Sequence, residues 1–257
     1  MSKTALVLSS GGAKGIAHIG AIQALEEKGI KFDMILGTSI GSLVGGAYAY
    51  GLSVQEMKEI AFSLKKNSIM DFSLFFTKNK GLIKGKKIDK LLHKIFGDAK
   101  IEDCKIPFAC VSNELVSGES VTFNSGYLKR AIRASISIPS LISPLIEDGK
   151  IYVDGGVTNR LALRQAKEMG ADKIIAVDVL SEIDTSAKIK GPISVMFRSL
   201  DCIDHQVAKA KLEIYKPDLL ICPNTTKVDP TNFKKAKEIY EIGYNYTKEF
   251  LNGIEKI

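Results

Sequence analysis

Gly37-Thr38-Ser39-Ile40-Gly41 is a G-x-S-x-G pentapeptide. It stands where the apolar run Met34-Ile35-Leu36 gives way to a small-residue stretch from Ser42 to Tyr50 that reads as a buried helix. A serine so placed sits on a sharp strand-to-helix turn with its hydroxyl exposed beside a helix N-terminus, and the flanking glycines leave room for the tight backbone. That is the setting of an activated nucleophile, although the bare pattern also describes an ordinary Gly/Ser turn. Two further segments carry chemistry. Ser9-Ser10-Gly11-Gly12-Ala13-Lys14-Gly15 follows the apolar strand Thr4–Leu8 and precedes a helical stretch from Ile16 to Lys28. Backbone N–H groups in such a loop bind an anion, either a standing phosphate or the transient oxyanion of acyl transfer. Asp154-Gly155-Gly156 ends the strand Ile151-Tyr152-Val153 and supplies a carboxylate, which on its own would pass for a turn residue.

The Gly-rich loop is not a P-loop, because G-x-x-x-x-G-K-[ST] is absent, and it fits the dinucleotide fingerprint poorly, because Ala13 takes the place of the second glycine. The histidines His18, His93 and His205 are poorly placed for a triad: His18 lies one turn into the first helix, and His205 lies in the polar stretch Asp201–Gln206. Amides, a nucleophile and a carboxylate then make a Ser–Asp dyad the preferred arrangement. No metal-ligand spacing is present, and no metal or cofactor is expected.

The elements that must position these residues alternate in an α/β manner. Phe108–Val111, Ser120–Phe123, Lys173–Val179 and Leu219–Cys222 read as strands, and Leu145–Val153 reads as a hairpin around Asp148-Gly149. Helices are expected after Ser53, from about Tyr127 to Ala134 capped by Asn124 or Ser125, from Ala162 to Met169, from Ile193 to Tyr215 and from Asn232 to Leu251. The 257 residues fit one domain with an ample core, and no repeat or linker divides them. Met34–Gln55 is uncharged, but its Gly, Ser and Thr content favours a buried strand-turn-helix over a membrane span.

The net charge of +7 is concentrated: residues 65–100 hold ten Lys against three Asp. In the same stretch Ser68–Phe76 is strongly apolar, and Ile88, Leu91, Leu92, Ile95 and Phe96 form a stripe opposite Lys87, Lys90 and Lys94. This stretch reads as a basic apolar insertion. It is either a lid that touches an anionic membrane surface or a cap with its own small core and a solvated lysine face. The four cysteines lack C-x-x-C spacing, and Ala5–Leu8 is too short for a signal sequence, so the expected compartment is the cytoplasm, with peripheral contact to the inner face of the membrane.

In this order the three segments resemble the patatin-like phospholipases, lipid acyl hydrolases that use a Ser–Asp dyad. The resemblance covers nearly the whole chain and includes Ala134-Ser135-Ile136-Ser137-Ile138-Pro139 and Gly170-Ala171-Asp172 before a strand ending Val177-Asp178-Val179. It implies a three-layer α/β/α sandwich with a mainly parallel central sheet. It also implies that Ser39 is the nucleophile, Asp154 its proton acceptor, and the amides of Gly11, Gly12 and Ala13 the oxyanion hole, with Gly15, Gly37, Gly41, Gly155 and Gly156 shaping the turns. The implied substrate is a phospholipid or lysophospholipid ester, with no nucleic-acid partner. One departure is Ala162, where the family often has proline. Competing functions are a nucleotide- or phosphate-binding protein using the Gly-rich loop, and a non-catalytic membrane-binding protein on the same fold.

Overall fold

A computed structural model describes residues 2–63, 86–185, 189 and 191–254 of the chain. A sheet is built from β1 (Thr4–Leu8), β2 (Met34–Thr38), β3 (Phe108–Glu114), β4 (Ser120–Phe123), β5 (Leu145–Glu147), β6 (Lys150–Asp154), β7 (Lys173–Val177) and β8 (Leu219–Ile221). The strand order is β5-β6-β3-β2-β1-β7-β8, with β4 also on β3. β3, β2, β1, β7 and β8 run parallel, and the pairs that β3 makes with β4 and β6, and β5 with β6, are antiparallel.

The central strands are apolar on both faces because helices cover both, as parallel sheets require. Alternate residues divide between two cores. Leu6, Leu8, Ile35, Phe108, Cys110, Ile175 and Val177 face a layer made by α1 (Ala17–Glu27), α2 (Ile40–Tyr50), α3 (Val54–Ser63), α4 (Lys86–Phe96), α5 (Leu128–Ser135) and α8 (Ala236–Asn252). Ala5, Val7, Met34, Leu36, Ala109, Val111, Ile174 and Ala176 face the opposite layer, where α6 (Leu163–Glu168) and the C-terminal part of α7 (Gly191–Tyr215) pack. The result is the expected three-layer α/β/α arrangement.

The local signals act as physics requires, with two differences. Ser53 and Glu56 form a reciprocal cap on α3: the Glu56 N–H donates to Ser53 Oγ, and the Ser53 N–H donates to Glu56 Oε2. The expected caps Asn124 and Ser125 are not used. α5 starts after Tyr127, whose bridge to Lys100 and the Leu128 N–H bond to the Ala99 carbonyl hold the entrance instead. α2 starts at Ile40, two residues before the small-residue stretch, because the turn at Ser39 leads straight into the helix. α6 forms without the family's proline, with Ala162 at its N-cap.

The basic apolar stretch is partly described. In α4, Leu92 and Phe96 are buried in the larger core and Phe96 meets Tyr50 edge-on, while Lys90 is exposed. Arg133 reaches Asp89 at 3.0 Å. The apolar run Ser68–Phe76 and the lysines up to Lys84 lie outside the described residues. Among the described residues no helix is long and apolar enough to cross a membrane.

Candidate active site

The register of β3 brings the two expected reacting residues together. β4 pairs with Cys110–Asn113 along one edge of β3. On the other edge β2 arrives in parallel and ends with Thr38 opposite Val111, while β6 arrives antiparallel and ends with Asp154 opposite Ser112. Two strands therefore meet end to end beside consecutive residues of β3, and the turns that leave the two strand ends share one small volume. Ser39 Oγ donates to Asp154 Oδ2 at 2.5 Å, the short distance of a charge-assisted O–H···O bond. Both side chains are buried.

Ser39 has φ +55° and ψ −125°, a conformation that L-residues rarely adopt. The surroundings hold it there. Its N–H donates to Ser135 Oγ at 2.9 Å, and the Ser135 hydroxyl in turn donates to the Val111 carbonyl at 2.6 Å. Its carbonyl accepts from the Ser42 hydroxyl and from the Ser42 N–H. The elbow is tight: a methyl on Gly41 would lie 2.4 Å from the Leu8 carbonyl oxygen, and one on Gly37 would lie 2.3 Å from the Gly41 oxygen.

Asp154 is held on both oxygens. Oδ1 accepts the Gly156 N–H at 2.7 Å, and the Asp154 N–H donates to the Ser137 carbonyl. Asn113 donates its amide to the Asp154 and Gly155 carbonyls, which fixes the turn after the acid. Gly155 fits between β3 and the elbow, because a Cβ there would lie 2.2 Å from the Val111 carbonyl oxygen. Burial pushes the Asp154 carboxyl up to about 7, against the hydrogen bonds from Ser39 and Gly156, which lower it.

The Gly-rich loop packs against the same point. A methyl on Gly15 would lie 2.2 Å from Ile40 Cγ2, and one on Gly156 would lie 3.1 Å from Ser10 Oγ. The loop is fixed by Ser9 N–H to the Val177 carbonyl, Ser10 N–H to the Arg160 carbonyl and Val179 N–H to Ser9 Oγ. Gly12 has φ +55°. The N–H groups of Gly11 and Gly12 have no partner among the described residues, whereas the Ala13 N–H donates to the Pro230 carbonyl at 2.7 Å. Ala13 therefore departs from its expected place in an oxyanion hole: its amide is spent on the segment before α8.

Among the described residues neither His18 nor His205 is hydrogen-bonded to Ser39 or Asp154. His18 is buried, its Nε2 bonds to the Ser9 carbonyl, and burial pulls its pKa down to about 4, so it is neutral and bolts the Gly-rich loop to α1. His205 lies on α7 with a buried Nδ1 that has no partner among the described residues. Ser135, Ser137 and Asn113 are the positioning residues that sequence reasoning missed. In the sequence the two serines stand out only as members of the Ala134–Pro139 stretch, and their polar type inside an apolar context was the available signal. Arg160 is a third kind of support: its guanidinium joins Asp178 on one side and Asp204 of α7 on the other, each at 2.9 Å, while its carbonyl holds Ser10.

Known proteins resemble this chain in sequence and in fold. A family model described as Patatin-like phospholipase matches residues 6–167. Lysophospholipase nte1 of Emericella nidulans is 34% identical over 97% of this chain and 18% of its own length. The corresponding lysophospholipases of Aspergillus fumigatus and Neurospora crassa are 35% and 32% identical over 97% and 98% of this chain, again 18% of their own lengths. The chain thus spans less than a fifth of these relatives. Among solved structures, VipD from Legionella pneumophila superposes with a TM-score of 0.58 at 15% identity, over 98% of this chain and 67% of that one. ExoU, in its heterodimeric complex with SpcU from Pseudomonas aeruginosa, superposes with a TM-score of 0.52 at 14% identity, over 98% of this chain and 51% of that one. Both share the fold.

Proposed function

The chain belongs to the patatin-like phospholipase family, and from that premise we propose that it is a serine acyl hydrolase of lipid esters, acting on phospholipids or lysophospholipids. The observation that carries the proposal is the 2.5 Å bond from the Ser39 hydroxyl, held on a strained elbow, to a buried Asp154. In the reaction Ser39 Oγ attacks the ester carbonyl as its proton passes to Asp154 Oδ2. An ordinary Asp, titrating near 3.9, is a weak base at neutral pH. Burial raises the basicity of Asp154 until about half of it is both ionised at neutral pH and strong enough to take the proton. The tetrahedral oxyanion is received by the free amides of Gly11 and Gly12. Asp154 then returns its proton to the leaving alcohol. Water, activated by the same carboxylate, releases the fatty acid from Ser39.

The phosphate-binding alternative is disfavoured by the Gly-rich loop itself. The Ala13 amide is already engaged, and the Pro230 carbonyl oxygen lies 2.5 Å from where a Cβ on Gly12 would stand, so the loop offers two amides rather than a cradle. We place the enzyme in the cytoplasm, in peripheral contact with an anionic membrane through the lysine-rich stretch around α4, where its substrates reside.

The test is labelling with a fluorophosphonate probe, followed by release of fatty acid from lysophosphatidylcholine and from phosphatidylcholine. Wild type should label and hydrolyse, and Ser39→Ala should do neither while melting as wild type does. Turnover retained by Ser39→Ala would remove the proposed nucleophile.

A further inference from the structure

α7 has two faces with different work. Its inner face is tied to the domain: Ala208 is buried, Leu212 and Tyr215 pack on the second core, Asp204 joins Arg160, and Lys211 Nζ donates to the Thr158 carbonyl and Asn159 Oδ1. The outer face carries Met196, Leu200, Ile203, Val207, Ala210 and Ile214. Met196, Leu200, Ile203 and Ile214 are exposed at 47%, 47%, 56% and 69%, Ala210 is exposed and Val207 is half-buried. These large apolar side chains are held in water by a helix whose other side is already satisfied.

Their spacing says what kind of surface they match. The intervals are four, three, four, three and four residues, the alternation that places knobs along a seam between two helices. The seam is about 27 Å long at 1.5 Å per residue. A flat lipid surface reads no such register and favours lysines along the borders of the stripe. One border here is Ser199, Gln206 and Glu213. On the other, Asp204 and Lys211 are turned inward to partners in their own chain.

The interval pattern also reads the same from either end, so the seam is complementary to itself when reversed. We propose that this face joins two copies of the chain through an antiparallel α7–α7 pair on a twofold axis at residue 205. In that register Met196 faces Ile214 of the second copy, Leu200 faces Ala210, and Ile203 faces Val207. The large Leu200 meets the small Ala210, as an interdigitated layer requires. Along the polar border Gln206 meets Gln206, and Ser199 meets Glu213, so no like charges oppose. A twofold contact of this kind is self-complementary, the commonest form of homodimer. A single helix pair about 27 Å long is a small contact, so the dimer forms with rising concentration.

The test is sedimentation velocity on the whole chain across micromolar concentrations, with Leu200→Glu, Ala210→Lys and the two combined. Wild type should dimerise with concentration, and each single variant should remain monomeric. The double variant should dimerise again, because residue 200 of one copy faces residue 210 of the other. Circular dichroism and hydrolysis of a soluble ester show that each variant is folded. A parallel pair sets 200 on 200 and 210 on 210; the double variant would then stay monomeric and the proposed register would fall. A wild type monomeric at every concentration overturns the proposal. So does a monomeric wild type whose binding to phosphatidylglycerol vesicles is lost in Leu200→Glu, which would make the stripe a lipid contact.

Discussion

Asp154 accepts the Ser39 hydroxyl on Oδ2 at 2.5 Å while the Gly156 amide holds Oδ1 at 2.7 Å. The carboxylate is thus oriented from both sides and kept from water, and burial pushes its pKa up to about 7, so a base at this position would titrate across neutral pH. The value of kcat/KM is expected to rise through pH 7 and level off above it, as the free enzyme's base ionises. Asp154→Asn should lose about 10²–10⁴-fold in kcat. His18→Ala, which removes a neutral histidine bonded to the Ser9 carbonyl, should leave the midpoint of the pH profile unmoved. A profile without an inflection near neutrality would count against Asp154 as the base.

The same shift acts on stability with a definite sign. Asp154 titrates near 7 when folded and near its ordinary 3.8 when unfolded, so between those values the folded chain binds the extra proton. Folding is then weakened as pH rises from about 4 to about 7, and no further above it. Asp154→Asn carries no such proton. Its melting temperature relative to wild type should therefore climb across that window, giving an inactive variant that is the more stable protein at pH 8. A difference in melting temperature that is constant with pH would show that the folded and unfolded carboxyls titrate alike.

Much of this site was legible in the sequence, because glycines and reacting groups mark short-range geometry. Gly37 and Gly41 announced the elbow and Asp154-Gly155-Gly156 the second terminus. What the sequence did not carry was the register that places them together. That depends on β3 offering Val111 to one strand and Ser112 to another, which no local pattern of Phe108–Glu114 encodes. The fate of the Ala13 amide was equally hidden, since its acceptor Pro230 lies more than two hundred residues away. Ser135 follows the expected helix end at Ala134 and holds the amide of Ser39 from there.

Ser135 yields a prediction of its own. Ser135→Ala leaves the buried Ser39 N–H without its acceptor and the Val111 carbonyl without the Ser135 donor. An unsatisfied buried group costs about 1–3 kcal/mol, so the melting temperature should fall by about 5 °C. The strained turn loses its tether, so kcat should drop while KM for a soluble ester holds. Equal losses in kcat and KM, or none in either, would separate Ser135 from the elbow.

The Arg160 fork serves two acids at once, Asp178 and Asp204. Arg160→Met strands Asp178 in a buried setting and Asp204 in a half-buried one, and breaking a buried pair by removing one partner costs about 3–5 kcal/mol. Arg160→Lys should recover little, because an ammonium cannot span two carboxylates in fixed directions. Urea denaturation measures both. A loss under about 1 kcal/mol, the usual worth of an exposed pair, would mean that the network is solvated in solution.

Lys90 stands exposed on α4 while Leu92 and Phe96 on the same helix are sunk in the core. The apolar side of this helix is therefore already used, and what it offers outward is charge. Lys84, Lys86 and Lys87 precede Lys90 in sequence. Near an anionic membrane each basic residue contributes about 1 kcal/mol, so replacing all four with Gln should weaken binding to phosphatidylglycerol vesicles by up to about a thousandfold at low salt. Added salt should weaken wild type towards the variant, because the attraction is screened within a Debye length. Hydrolysis of a soluble ester should be unchanged, since Lys90 touches neither Ser39 nor Asp154, whereas hydrolysis of vesicle lipid should fall with binding. Vesicle binding equal to wild type would make these lysines a solvated face. Binding lost together with soluble-ester hydrolysis would mean instead that the substitutions had disturbed the packing of α4.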